Sequence, residues 1–410
     1  MRNARGRFRS SRRAPTPVFW LLSAQLIMFT GIAALFPIAP LYVAHRGGNS
    51  MAIAAFVAGP LVANMLVQIP AGRLADRIGR KPLLIGTRAV YVVLSAVLFA
   101  DVLPLPGLIV VRSLQGAAAG AFIPALLAAL TDLTPPQRRA ERFSQQQACE
   151  MAGLLIGPLL GGAAALWRDS AAFGVAGLAV LIGIVPMLRV PETVGRGPRD
   201  RGRPRPFHWR RRGIVVPSLG LFAVGTVFAM YDVVWPQYLS ARGYGAFVVG
   251  LSISLFAIPI LLLARRAGRA ADRFERRTLV PAAFLVVAGC AASYPFLDVL
   301  LPIQLVGELE ASATVFLEPS LFAVIGATAG EHERGRAMGV GGLFQFAGTG
   351  VGAALLGALY GVAPAIPFWG GSAVVVAGAI ICGIWLPARA AIAPLPAPEP
   401  QPTVREREAV

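Results

Sequence analysis

The chain has 410 residues, of which 56% are hydrophobic and only 14% charged, with a mean hydropathy of +0.65. Soluble domains carry nearer a quarter charged residues, so this composition excludes an ordinary soluble enzyme and points to a membrane protein. The net charge of +18 would suit a nucleic-acid binder, but the basic residues are scattered over short segments between apolar runs, which excludes that class.

In chain order, Arg2, Arg5, Arg7, Arg9, Arg12 and Arg13 form a basic tail over residues 1–17. Apolar runs of about 20 residues imply helices, which satisfy their own backbone hydrogen bonds in lipid. Such runs fall at 18–43, 50–72, 83–103, 105–130, 145–167 and 171–189. After a basic linker at 190–213 they resume at 214–239, 246–266, 279–299, 301–328, 338–361 and 367–387. The expected fold is all-α, with twelve transmembrane helices in two six-helix halves, 18–189 and 214–387. A Pro-rich disordered tail covers 388–410. With both termini in the cytoplasm, 33 of the 38 basic residues fall on that side, which predicts a multi-pass protein of the plasma membrane in that orientation. Cys149, Cys290 and Cys382 lie far apart without metal spacing, so packing is their expected role and no cofactor is expected.

The two halves repeat. Gly72-Arg73-Leu74-Ala75-Asp76-Arg77-Ile78-Gly79-Arg80-Lys81 returns 196 residues later as Gly268-Arg269-Ala270-Ala271-Asp272-Arg273-Phe274-Glu275-Arg276-Arg277. Pro40 to Gly47 matches Pro236 to Gly243 at the same shift. Pro124, Arg139, Gly153, Gly157 and Gly162 match Pro319, Arg334, Gly348, Gly352 and Gly357 at a shift of 195. An even number of spans separates the copies, so the halves share one orientation, as in duplicated transporters.

These features resemble the major facilitator superfamily, over roughly residues 18 to 387. The segment from Gly72 to Lys81 is similar to that family's signature between its second and third helices. The resemblance implies a gating loop made by Gly72, Asp76, Arg77 and Arg80, with Gly268, Asp272 and Arg273 as the second copy. Gly72 is expected to allow close helix approach, and Asp76 to engage a helix N-terminus or a basic side chain. Arg112 with Gln115 and Gly116 is similar to the family's buried-arginine motif in span four, implicated in proton transfer among proton-coupled members. In span five, Gly153, Gly157, Pro158, Gly161 and Gly162 resemble the pattern that the family associates with antiport by twelve-helix drug exporters.

Helical geometry narrows the pathway residues. If Arg112 faces the central cavity, its counterpart is Gly307, and steps along that face reach Glu310 and Glu318. Asp232, the counterpart of Phe36, sits among aromatics in the outer half of span seven. A carboxylate at membrane depth is costly to keep charged, so Asp232, Glu310 and Glu318 are candidate proton or substrate groups, tuned by Arg112. Glu308 is expected at a helix seam and Glu150 in a structural or inner-gate role, while Asp101, Asp132 and Asp298 are expected to be solvated. His45, His208 and His332 show no partner in the sequence. Phe29, Phe122, Trp235, Phe316, Phe344 and Phe346 are candidates to line a drug-sized pocket.

The reading is therefore a secondary transporter exporting small amphipathic compounds or drugs by proton antiport and alternating access, driven by the proton gradient. Its partners would be a small-molecule substrate, protons and membrane lipids, and it is expected to work as a monomer. One alternative is a symporter or facilitator for a sugar or another metabolite. Another is a non-transporting membrane sensor or scaffold with the same fold. No nucleophile, base and orienting partner assemble from these motifs, so an enzyme is not expected.

Overall fold

A computed structural model describes residues 16–135, 138–193, 208–329 and 333–387. The basic tail, the middle of the linker, the Pro-rich tail and His332 lie outside the described residues. Eleven helices among the described residues are long and apolar enough to cross a membrane. The remaining expected span, the first, is broken into Pro17–Ala33 and Ala39–His45.

The break has a chemical cause. Pro37 and Pro40 bring no N–H to the helix ladder, so the chain tightens through three-residue closures. Leu35 N donates to the Ile32 carbonyl at 3.1 Å, Phe36 N to Ala33 at 3.2 Å and Ile38 N to Leu35 at 3.1 Å. In the second half the helix Arg212–Ala229 reaches the same register and widens instead, into a π turn over Met230–Val234, before Trp235–Ser240 completes span seven. Pro40 and Pro236 both sit in the first turn of the outer segment, where a missing N–H is tolerated.

Spans two to six are Ser50–Ile78, Arg80–Ala100, Leu105–Asp132, Arg139–Ala165 and Ala171–Leu188. Span eight is Ala246–Arg273, and span nine is Arg276–Ser293 with a short extension to Phe296. Span ten is interrupted, as Leu300–Thr314 and Leu317–Thr328, where Pro319 cannot donate to the Val315 carbonyl. Spans eleven and twelve are Arg334–Tyr360 and Ile366–Trp385. Spans two and eight outrun their apolar sequences, so most of each repeated basic segment is helix, not loop. Helical hydrogen bonding carries the backbone past the lipid boundary until Gly79, at φ +102°, stops it.

Glycine sets how the helices pack, because lipid tails offer no hydrophobic gain and close contact must supply the attraction. A Cβ at Gly116 or Gly120 would strike the backbone of Pro60 or Asn64, which locks span four onto span two. Gly225 and Gly348 do the same between spans seven and eleven. The halves meet along span five with span eight and span two with span eleven. There a Cβ at Gly162 would lie 2.7 Å from the Ala246 carbonyl, and one at Gly361 2.7 Å from the Ser50 Cβ. These contacts lie at the ends remote from the basic segments. Spans one and four face seven and ten across a central gap, and Ala39–His45 meets Trp235–Ser240 at its remote end.

Candidate transport site

At the outer layer of the gap, Arg112 Nη1 donates to Gln115 Oε1 one turn further along span four. Gln115 is fully buried and donates in turn to Ser95 Oγ of span three at 2.7 Å. Tyr91, also buried on span three, turns its hydroxyl toward the same guanidinium. Arg112 is therefore aimed by neutral groups of its own half, and the carboxylate within its electrostatic reach is Asp232 of the other half. Asp232 lies in the π turn, a device that opens a helix and displaces a side chain from the regular ladder. Of the sequence-predicted residues, Arg112 and Gln115 are hydrogen-bonded, and Asp232 of the other half lies within electrostatic reach of Arg112. Tyr91 and Ser95 were missed, although their spacing of four places both on one face of span three.

Arg88 also lies in the first half, buried, with its guanidinium 3.5 Å from the centroid of the Phe122 ring. The ring face offsets part of the cost of keeping a cation in the bundle. Phe122 and Trp235 are thus core residues rather than pocket walls, and Trp235 Nε1 donates to Ser252 Oγ at 3.1 Å.

Glu310 departs from the sequence expectation. It is fully buried and does not line the open gap. Tyr294 Oη donates to its Oε2 at 2.6 Å, and the Tyr231 hydroxyl, 3.4 Å from that of Tyr294, approaches the same carboxylate. The Gly307 face packs on Phe256, which would lie against any added Cβ, so aromatic rings cover the surface that pseudo-symmetry assigned to the pathway. Tyr231 is partly exposed and adjoins Asp232, which leaves one tyrosine between the buried acid and the gap. Glu308 accepts from Gln304 Nε2 at 2.6 Å, and Gln304 receives the Ser252 hydroxyl of span eight at 2.7 Å, a helix seam as expected.

Nearer the basic end, Glu150 of span five accepts from Gln25 Nε2 of span one at 2.9 Å and from Gln146 Nε2 at 2.6 Å. Gln345 of span eleven approaches Glu318 of span ten. Gln345 is the repeat counterpart of Glu150, so each half pairs a glutamate with a glutamine across a helix interface. The two acids stand within electrostatic reach of one another across the halves.

The duplicated basic segment proves to be a rim of clamps. Arg80 is buried and pairs with Asp132 at the end of span four at 2.9 Å, with Asp76 further away at 3.8 Å. Asp132 is therefore paired, not merely solvated. The carboxylate at the N-terminus of span three is that of Glu192, which accepts from the backbone N–H groups of Arg80 and Lys81 at 3.0 Å each. Sequence reasoning missed it, although it is a lone acid at the start of a basic linker. A Cβ on Gly72 would meet only Pro124 at 3.7 Å, ordinary contact, so the close approach expected there belongs to Gly79 beside Glu192. Lys81 Nζ reaches the Leu188 carbonyl at 2.6 Å, and its counterpart Arg277 reaches that of Leu386 at 2.5 Å. Each caps the last span of its own half, where the helix dipole favours a cation. Arg77 is exposed. Gly268, Asp272 and Arg273 lie on the span-eight helix, and their side-chain surroundings fall outside the described residues.

At the remote face, Arg46 pairs with Asp101 at 2.6 Å, and Tyr42 donates to the same carboxylate. Arg242 reaches Asp298 at 3.3 Å and lies 3.7 Å over the Tyr238 ring. Asp101 is thus engaged, whereas Asp298, 85% exposed, is solvated as expected. His45 has a partner after all, Asp169 at 2.5 Å.

The span-five glycines form a packing stripe. A Cβ on Gly153 would lie 2.9 Å from Thr30 N, and those on Gly157 and Gly161 would strike the carbonyls of Thr30 and Ala34. Gly162 faces span eight of the other half, and the Pro158 carbonyl sits where a Cβ on Gly250 would be. The stripe lets span five lie against the broken first span and the opposite bundle at once.

Comparison with known proteins bears on the fold. The sequence profile of the Major Facilitator Superfamily matches residues 21–313 and again 218–409. A quinolone resistance protein, NorA, of Staphylococcus aureus (strain MSSA476) is 23% identical over 381 residues, covering 89% of this chain and 95% of its own. The inner membrane transport protein YajR of Escherichia coli (strain K12) is 26% identical over 380 residues, covering 87% and 78%. Among solved structures, a bacterial homologue of the human lysosomal transporter Spinster, inward-facing and occupied, aligns with a TM-score of 0.73 at 15% identity, covering 90% of this chain and 94% of its own. A D-xylose-proton symporter aligns equally well, with a TM-score of 0.73 at 14% identity, covering 90% and 98%. At such identities the structures establish the shared fold and nothing about cargo.

Proposed function

The chain belongs to the Major Facilitator Superfamily, a family of transporters and not enzymes, and we propose that it exports small amphipathic organic compounds in exchange for protons. The observation that carries this reading is the facing of Arg112 and Asp232 from opposite halves at the outer layer of the gap. A charge interaction between two bodies that rock against each other gains or loses energy with their separation. A proton on Asp232 removes the attraction to Arg112 and so changes the relative stability of the two states, which is what coupling requires. Glu310, one tyrosine behind the gap, is a second group through which a proton is held or passed. The relation to quinolone resistance proteins supports drug-like, amphipathic cargo leaving the cell. The protein then acts in the plasma membrane as a monomer, with both termini cytoplasmic and the basic rim facing inward.

In this reading the halves tilt over their close contacts at the end remote from the rim, where Gly162 meets Ala246 and Gly361 meets Ser50. The close contacts of span five with span eight form a surface over which the halves tilt. The test is transport in proteoliposomes under an imposed pH gradient, across a panel of dyes, antibiotics and metabolites. Gradient-driven movement of amphipathic compounds, abolished by a proton ionophore, is expected. Movement indifferent to the ionophore removes proton coupling, and movement of sugars alone transfers the protein to the symporter class.

A further inference from the structure

Aromatic rings seal Glu310 from the gap. Trp235, Tyr238 and Phe368 pack on the Tyr294 ring with centroids 4.9, 6.2 and 5.4 Å away, and all of these side chains are buried. Their polar atoms are spent elsewhere. Trp235 Nε1 donates to Ser252 Oγ, and the Tyr238 hydroxyl lies on the carbonyls of Tyr294 and Leu297 at 2.7 and 2.8 Å. One polar line is left among the described residues: Tyr294 Oη to Glu310 Oε2 at 2.6 Å, and Tyr231 Oη to Tyr294 Oη at 3.4 Å. Tyr231 is the member with open surface, and it stands in the π turn beside Asp232.

The acid at the inner end of this line is half provided for. Oε2 takes the Tyr294 hydroxyl, while Oε1 is buried without a hydrogen-bond partner. The groups about it are the two tyrosines, the Cys290 thiol of span nine and, on its own helix, Thr314, whose hydroxyl bonds the Glu310 carbonyl. No guanidinium or ammonium group is among them in the described residues. An anion so placed is costly, and a proton removes the cost. Hydroxyls both donate and accept, so a chain of them can run in either direction.

We propose that Tyr231 and Tyr294 relay protons between the gap and Glu310. The relay rests on the proton-coupled reading above and deepens it by naming the path to its enclosed acid. In loading, Tyr294 gives its proton to Oε2 as Tyr231 gives its own to Tyr294, and a hydronium ion in the gap restores the Tyr231 proton. Each O–H bond broken is matched by one formed, and the net change is one proton gained by Glu310. The loaded acid then donates to Tyr294 and Tyr294 to Tyr231, and the same steps reversed unload it. The contact between the two hydroxyls is longer than an ordinary O–H···O bond, so passage waits on a small inward movement of Tyr231 in the π turn.

The test reads the Glu310 carboxyl directly, by infrared spectroscopy of the purified full-length protein in lipid vesicles, without substrate or gradient. The carboxylic-acid band lost in Glu310→Gln is assigned to Glu310, and its shift on transfer to heavy water times the exchange of its proton. Tyr231→Phe and Tyr294→Phe are each expected to slow that exchange about tenfold or more, because phenylalanine keeps the ring and removes the relay oxygen. Tyr238→Phe is the control: it touches the same Tyr294 ring but stands outside the line, and its exchange is expected to match the wild type. Thermal melts show that each variant is folded, and if one relay variant is not, the other decides. Exchange at the wild-type rate in a folded relay variant, equal slowing in Tyr238→Phe, or no Glu310 band at any pH overturns the proposal. Loss of the relay leaves the exporter reading standing, while substrate movement indifferent to protons removes that reading and leaves the measured exchange untouched.

Discussion

Ala34–Ile38 and Met230–Val234 occupy equivalent places, 196 residues apart, and both interrupt the first span of a half just before a proline-bearing outer segment. One tightens through three-residue closures and carries Phe36; the other widens into a π turn and carries Asp232. The same division runs through the interior. The first half supplies the guanidinium groups of Arg88, buried, and Arg112, half-buried, with Glu150 as its interior acid, while the second supplies Asp232, Glu310 and Glu318. Duplication has therefore kept the backbone breaks, which proline chemistry imposes, and has let the charges diverge. Complementary charge on two similar bodies makes the gap between them electrically directional, which identical halves could not achieve.

The largest expected effect tests the shared skeleton. Gly116→Val and Gly161→Val each place branched carbons against backbone of a neighbouring span, and overpacking of this kind costs about 1–3 kcal/mol or more. Both are expected to cut the yield of folded protein sharply and to lower the melting temperature in detergent. Gly72→Ala is the control within the repeated motif, because only Pro124 at 3.7 Å meets the new methyl group. A melting temperature within error of the wild type is expected there. Equal damage from Gly72→Ala would mean that the motif glycine is needed for packing after all.

The divided charges are tested next. Asp232→Asn and Arg112→Gln are each expected to reduce gradient-driven transport about 100-fold, with folding retained because the neighbours of Arg112 are neutral. The exchange Arg112→Asp with Asp232→Arg is expected to recover part of that loss, as a facing pair should. If each single variant transports at the wild-type rate, the two halves do not divide the chemistry in this way. Tyr294→Phe is a milder probe of the second half: it deprives Glu310 Oε2 of its donor and should cost about 1–3 kcal/mol, read as a lower melting temperature, while Glu310→Gln keeps an acceptor there and should cost less.

What the sequence disclosed follows from the range of the forces involved. Hydropathy and the 195–196 register revealed the spans and the repeat, because lipid immersion acts on every residue of a helix. They also revealed Arg112, Gln115 and Asp232, whose polar character stands out against apolar neighbours. The orientation of Glu310 was not legible, since it depends on Phe256 and Tyr294 filling the surface opposite Gly307. Nor was the capping of span three by Glu192, a contact across 111 and 112 residues of chain that no local period encodes. The repeated basic segment looks like a loop in sequence because its charges mask the helix propensity of a span already under way.

The smallest effect sharpens the comparison at the remote face, where the repeat places a Tyr-x-x-x-Arg clamp in each half. Arg46 holds Asp101 at 2.6 Å with Tyr42 as a second donor, both charged side chains being 32% exposed. Arg242 meets an Asp298 that is 85% exposed, and its better contacts are the Tyr238 ring and the Leu297 carbonyl, to which Nε donates at 2.9 Å. The first clamp works through its carboxylate and the second through its ring and backbone. Asp298→Asn should therefore change stability by less than about 0.5 kcal/mol, as for an exposed pair, and Asp101→Asn by more, since it also disturbs the buried Tyr42 hydroxyl. The order reverses if Arg242 depends on its acid rather than on Tyr238 and Leu297, and paired thermal melts of the two variants at low and high salt decide it. A salt-sensitive difference confined to the Asp101 variant is the expected result, because ion screening weakens the charged clamp and leaves the ring and carbonyl contacts unchanged.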